Sequence, residues 1–68
     1  MKHHYIVEAI MGDQYDEYLC PLGATCERGE LGETLMHLGA KSYRIKSVDW
    51  EPVADWENTD WISVTGIV

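Results

Sequence analysis

Alternation of apolar and polar side chains divides most of this chain into short strands around one helix. Over residues 4–11, Tyr5, Val7, Ala9 and Met11 alternate with His4, Ile6, Glu8 and Ile10. Both sets are largely apolar, which predicts a central strand covered on two faces. Gly12-Asp13 then supplies a turn. A weaker strand is predicted over residues 15–20, ended by Pro21 because proline has no N–H to give a ladder.

The period changes after Cys26. Leu31, Leu35 and Leu38 fall at i, i+4 and i+7, one stripe of an amphipathic helix. Glu30 and Glu33 occupy its early turns, where the helix dipole favours negative charge, and Gly39 follows as a stop. Gly29 and Gly32 each cost about 1 kcal/mol inside a helix, so the predicted start falls anywhere from residue 25 to residue 30. His37, in the last turn, is expected to act as a cation near the terminal carbonyls.

Residues 41–50 read as a strand with a parity conflict. Tyr43 and Ile45 share one face, whereas Val48 and Trp50 have the opposite parity. One regular strand cannot put both pairs into one core. Either a bulge lies near Ser47 or both faces become buried at different points. Glu51-Pro52 breaks the run, and residues 61–68 form a terminal strand. The order β-β-α-β-β predicts a single small α+β domain over residues 1–68, with one α-helix packed on a three- to four-stranded, mainly antiparallel sheet.

Size and charge narrow the class. A 68-residue chain buries only about 60% of the surface its unfolded form exposes, so its core is thin and a homodimer is a possible way to complete it. With 46% apolar residues it is too hydrophobic for a disordered segment. Residues 1–46 carry seven acids and five bases, a net of −2; residues 47–68 carry five acids and no base, a net of −5. Nucleic acid and anionic membranes are recognised through Lys and Arg, so neither is an expected partner. A basic protein is. Met1-Lys2-His3-His4 leads directly into the first strand without an apolar signal core, so a cytoplasmic location with reduced thiols is expected.

The chemistry concentrates in Asp49-Trp50-Glu51, Asp55-Trp56-Glu57 and Asp60-Trp61. In extended backbone, the acids flanking Trp50 and Trp56 point away from the indoles. That geometry predicts those two tryptophans as core under an acidic face, and leaves Trp61 as the one to suspect of exposure. An indole anchor inside a charged rim is a common interface design. Closely spaced carboxylates can also imitate nucleic-acid phosphate in a groove lined with Arg and Lys. The expected partner-binding residues are therefore Asp49, Glu51, Asp55, Trp56, Glu57, Asp60 and Trp61.

Other constellations are weaker. Cys20 and Cys26 are separated by five residues, wider than the two to four typical of a zinc pair, and no second pair follows. Structural thiols are expected, with no metal or cofactor. No phosphate loop, nucleophile elbow or His-Glu-x-x-His pattern occurs, so no enzyme is expected. Arg44 and Lys46 share a strand face and are expected to pair across the sheet with acids such as Glu8 or Glu17.

These readings predict a small acidic module that inhibits or modulates a nucleic-acid-handling protein or complex by occupying its basic surface. By analogy of size and charge alone, phage host-takeover and anti-CRISPR proteins are of this type, acting in the host cytoplasm. The alternatives are a self-associating domain that pairs through its C-terminal strand, and a metal-binding regulator using Cys20 and Cys26.

Overall fold

The structure, a computed structural model, describes residues 1–64. Strands β1 (His3–Gly12) and β2 (Glu17–Cys26) form a hairpin, followed by a 3-10 turn (Arg28–Glu30) and helix α1 (Leu31–His37). Strand β3 (Ser42–Val48), the short β4 (Glu51–Pro52), a second 3-10 turn (Trp56–Asn58) and the short β5 (Ile62–Ser63) complete the order. The sheet runs β2-β1-β3-β4, and β5 also pairs with β3. All pairings are antiparallel. The predicted α+β class and β-β-α-β-β order are observed, with β4 and β5 as two short additions along the same edge of β3.

The pattern of β1 explains its central place. Tyr5, Val7 and Ala9 are buried on the inner face with Ala24 and Cys26 from β2, Tyr43 from β3, Leu31 and Leu35 from α1, and Ala40 and Val64. The buried Tyr43 hydroxyl accepts a hydrogen bond from Arg28 Nη1 at 3.3 Å, meeting the need of a polar tip in a core.

The parity conflict in β3 is resolved by a bulge. Ile6 pairs with Ser47 but Val7 pairs with Ile45, leaving Lys46 as the extra residue. The shift returns Val48 to the inner face, where it pairs with Tyr5 and packs on the core beside Ile45. Arg44 and Lys46 remain on the outer face.

Three expectations need correction. Pro21 does not end β2: it pairs with Glu8 in mid-strand. An edge strand points every second N–H away from its neighbour, so a proline fits there and also leaves a gap in the free edge. Glu51-Pro52 does not break the run either, but turns back on Ser47 and Val48 as β4. Leu38 leaves the helical stripe, half-exposed at 50%, because α1 has already ended. Its C-terminus is a Schellman motif: Ala40 N–H donates to Leu35 O and Gly39 N–H to Met36 O, each at 3.0 Å.

Of the predicted terminal strand, Ile62–Ser63 pairs with Tyr43 and Ser42, and Val64 N–H donates to Lys41 O at 3.1 Å. Residues 65–68 lie outside the described part. Two glycines carry the turns. Gly12 has φ +99°, and a Cβ there would stand 2.0 Å from the Asp16 carbonyl oxygen; Gly39 has φ +98°, with only Met11 Cε nearby at 3.5 Å. Alanine at Gly39 should therefore cost about 1–2 kcal/mol from backbone strain, and alanine at Gly12 distinctly more. Urea unfolding of the two variants checks the ranking.

Candidate functional site

The segment from Asp49 to Trp61 begins with a two-residue hairpin turn. Val48 pairs with Glu51, and the turn residues Asp49 and Trp50 have φ values of +50° and +71°. Positive φ at both central positions is the requirement of a type I′ turn, for which Asn-Gly or Asp-Gly is the favoured pair. Asp tolerates it; a bulky residue such as Trp is an outlier. The strain amounts to roughly 1–2 kcal/mol.

Contacts to β1 hold this turn in place. His4 N–H donates to Asp49 Oδ1 at 2.8 Å, and Asp49 N–H donates to His4 O at 2.7 Å. Asp49 Oδ2 lies 2.6 Å from His3 Nδ1. The His4 N–H bond first, and the His3 contact second, hold the Asp49 carboxyl below its ordinary value of 3.8. The indole of Trp50 stacks on the His4 ring, centroids 4.5 Å apart with 26° between planes. That ring is in turn fixed by a 2.9 Å hydrogen bond between His4 Nδ1 and Thr25 Oγ1.

The segment then arches over the outer face of β3. Val53 N–H donates to Lys46 O at 2.8 Å. Asp55, at φ +57°, begins the second 3-10 turn, its Oδ1 accepting from Asn58 Nδ2 at 2.6 Å. The centre of the arch is Arg44. Its guanidinium carbon lies 4.1 Å from the Trp61 ring centroid and 5.5 Å from that of Trp56. Arg44 Nη1 also donates to the Glu57 carbonyl at 2.7 Å. Lys46 Nζ stands 4.9 Å from the Trp56 centroid. These are cation–π contacts, worth about 0.5–2 kcal/mol each depending on desolvation. Arg44 Nε is buried with no hydrogen-bond partner among the described residues.

The expected core role of Trp50 and Trp56 is thus overturned. Trp50 is 72% exposed because it sits in a turn, where strand alternation does not apply. Trp56 is half-buried, but against Arg44 and Lys46 on the outer face. Trp61 is 37% exposed, as suspected. Of the seven expected partner-binding residues, Trp56, Glu57 and Trp61 meet on Arg44, while Asp49 is drawn to β1. Glu51, Asp55, Glu57 and Asp60 are exposed and form no ion pair among the described residues.

The nearby cations are engaged elsewhere. Lys46 lies 3.7 Å from Glu8, the cross-sheet pairing the sequence suggested, and Lys41 lies 3.0 Å from Glu17, whereas Arg44 goes to the indoles. Residues missed from sequence were His3, His4, Arg44 and Trp50. Arg44 and Lys46, alternating just before a Trp-rich segment, were the available signal for part of this. The Asp-Trp turn had none, lacking glycine.

Cys26 is buried and Cys20 half-buried, both on the inner face of β2. Among the described residues no three His, Cys, Asp or Glu side chains assemble into a metal-binding group, and no helix is long and apolar enough to cross a membrane. No protein-family model, curated protein or solved structure matches the chain.

Two outcomes follow from the turn. Trp50→Gly trades the roughly 1–2 kcal/mol of strain against a ring stack of about 0.5–1.5 kcal/mol. Its melting temperature should equal or exceed that of the parent; a drop of many degrees would show that Trp50 is structural. For Asp49, a carboxyl pKa depressed by folding adds stability that is complete above the ordinary value of 3.8 and lost as pH falls through the lower folded value. Asn tolerates the left-handed turn. Thermal melts from pH 5 to pH 2 should accordingly show a shallower acid decline for Asp49→Asn than for the parent.

Proposed function

We propose that this chain is a small acidic protein-binding module that occupies a basic, nucleic-acid-binding surface of a larger protein and thereby inhibits or modulates it. The observation that carries the reading is the fate of the local cations. Arg44 and Lys46 lie against tryptophan faces, so Glu51, Asp55, Glu57 and Asp60 keep their charge free for a partner. An acidic stretch neutralised by its own bases would have little to offer a basic groove.

Preorganisation supports the same reading. The carboxylates ride on a backbone held by the Asp49–His4 bonds, the Asp55–Asn58 bond and the Arg44–Glu57 bond. Less ordering entropy is then lost on binding. Competition with nucleic acid would be both steric and electrostatic. Unscreened carboxylates accelerate encounter with a positive surface, and the tryptophans beside them slow release. A surface with no pocket among the described residues suits filling a groove.

The test uses the chain as bait at low salt, beside a variant with Asp55, Glu57 and Asp60 changed to Lys and another with Glu30 and Glu33 changed to Lys. The protein retained should be a nucleic-acid-binding one. Its affinity should fall at least tenfold in the triple variant, change little in the helix variant, and decline steeply as ionic strength rises. Added DNA or RNA should displace the chain. Equal losses in both variants, or retention in the presence of excess nucleic acid, would refute the proposal.

A further inference from the structure

The three tryptophans of the acidic segment differ in what covers them. Trp56 has Arg44 and Lys46 over its ring, and Trp61 has Arg44. Trp50 has no Lys or Arg over it among the described residues. One of its faces rests on His4, and 72% of the residue is open to solvent. The chain therefore holds two indoles already serving cations of its own and a third, flanked in sequence by Asp49 and Glu51, whose second face carries no Lys or Arg among the described residues.

Its position is also fixed. Thr25 orients His4, His4 supports the indole, and Asp49 pins the turn to β1 from the other side. Asp49 is occupied by those bonds, and Glu51, opposite Val48 in the hairpin, forms no ion pair among the described residues. An exposed indole face held still in a segment of net charge −5 fits a planar cation. The guanidinium of arginine stacks flat on an indole while its N–H groups reach sideways to a carboxylate; the ammonium of lysine is a compact, strongly hydrated point charge and gains less from the ring.

Resting on the acidic-module reading above, we propose that the open face of Trp50 receives an arginine side chain from the basic surface of the partner. Trp50 is then a specificity-determining contact within that interface. The free carboxylates supply long-range attraction to any cationic surface, and Trp50 selects arginine-rich ones.

A nona-arginine peptide, with nona-lysine as its control, tests this without knowledge of the partner. On titration of the wild-type protein with nona-arginine, the Trp50 ring resonances should shift most, and those of Trp61 and Trp56, already under Arg44, least. Trp50→Gly should weaken nona-arginine binding roughly threefold to tenfold, with a smaller loss for nona-lysine and an unchanged fold by amide spectrum. Undiminished nona-arginine binding by Trp50→Gly, or equal shifts at all three rings, overturns the proposal. The triple charge reversal at Asp55, Glu57 and Asp60 separates the two readings. If it weakens both peptides while Trp50→Gly changes neither, the acidic surface stands and the arginine site falls. If it too changes neither, both fall.

Discussion

The acidic arch depends on one guanidinium. A sheet whose central strand is apolar on both faces needs cover on both, and a seven-residue helix serves only the inner one. On the outer face the chain uses the segment between β4 and β5. That segment has one short 3-10 turn and only two-residue strands at its ends, too little backbone pairing to hold it. Arg44 supplies what is missing, with Trp61 and Trp56 against its plane and the Glu57 carbonyl at its edge. Removing it would leave two indoles and a carbonyl without their common partner, and the arch without its centre.

The same choice decides the electrostatics. A base placed opposite five acids would ordinarily pair with a carboxylate, at a gain of about 0–1 kcal/mol on an exposed surface. Arg44 stacks on rings instead. The arrangement keeps cations under the arch and anions on top of it, and it leaves the net −5 of residues 47–68 largely uncompensated by side-chain pairing. Arg44 thereby gains two ring contacts and a backbone hydrogen bond where an exposed ion pair would give one weak contact. The consequence is at the surface, where Glu51, Asp55, Glu57 and Asp60 stay exposed with no ion pair among the described residues.

Legibility from sequence followed the range of the interaction involved. The alternation of β1, the leucines of α1 and the stop at Gly39 are local patterns, and they gave the class and order correctly. The β3 bulge was legible too, because Tyr43, Ile45 and Val48 could not otherwise share a core. Pro21 misled, since its tolerance depends on β2 being an edge, which is a fact about the whole sheet. The tryptophans misled for a related reason. Alternation assigns faces only within a strand, and Asp49-Trp50 is a turn whose sequence lacks the glycine that announces one. Nor does any local rule say that Trp56 and Trp61 will choose Arg44 over an aliphatic core.

Backbone strain points to the same segment from another direction. Three non-glycine residues among those described have positive φ, namely Asp49, Trp50 and Asp55, and all three belong to the acidic, Trp-bearing stretch. Asp49 and Asp55 repay part of that cost through their own hydrogen bonds. Trp50 has only a ring stack, and its indole remains mostly in water. Hydrophobic burial cannot be the reason for a tryptophan at this position, since most of its surface is never removed from solvent. Glycine would satisfy the turn better. A side chain that costs the fold strain and returns little burial makes physical sense where its exposed face has work at an interface.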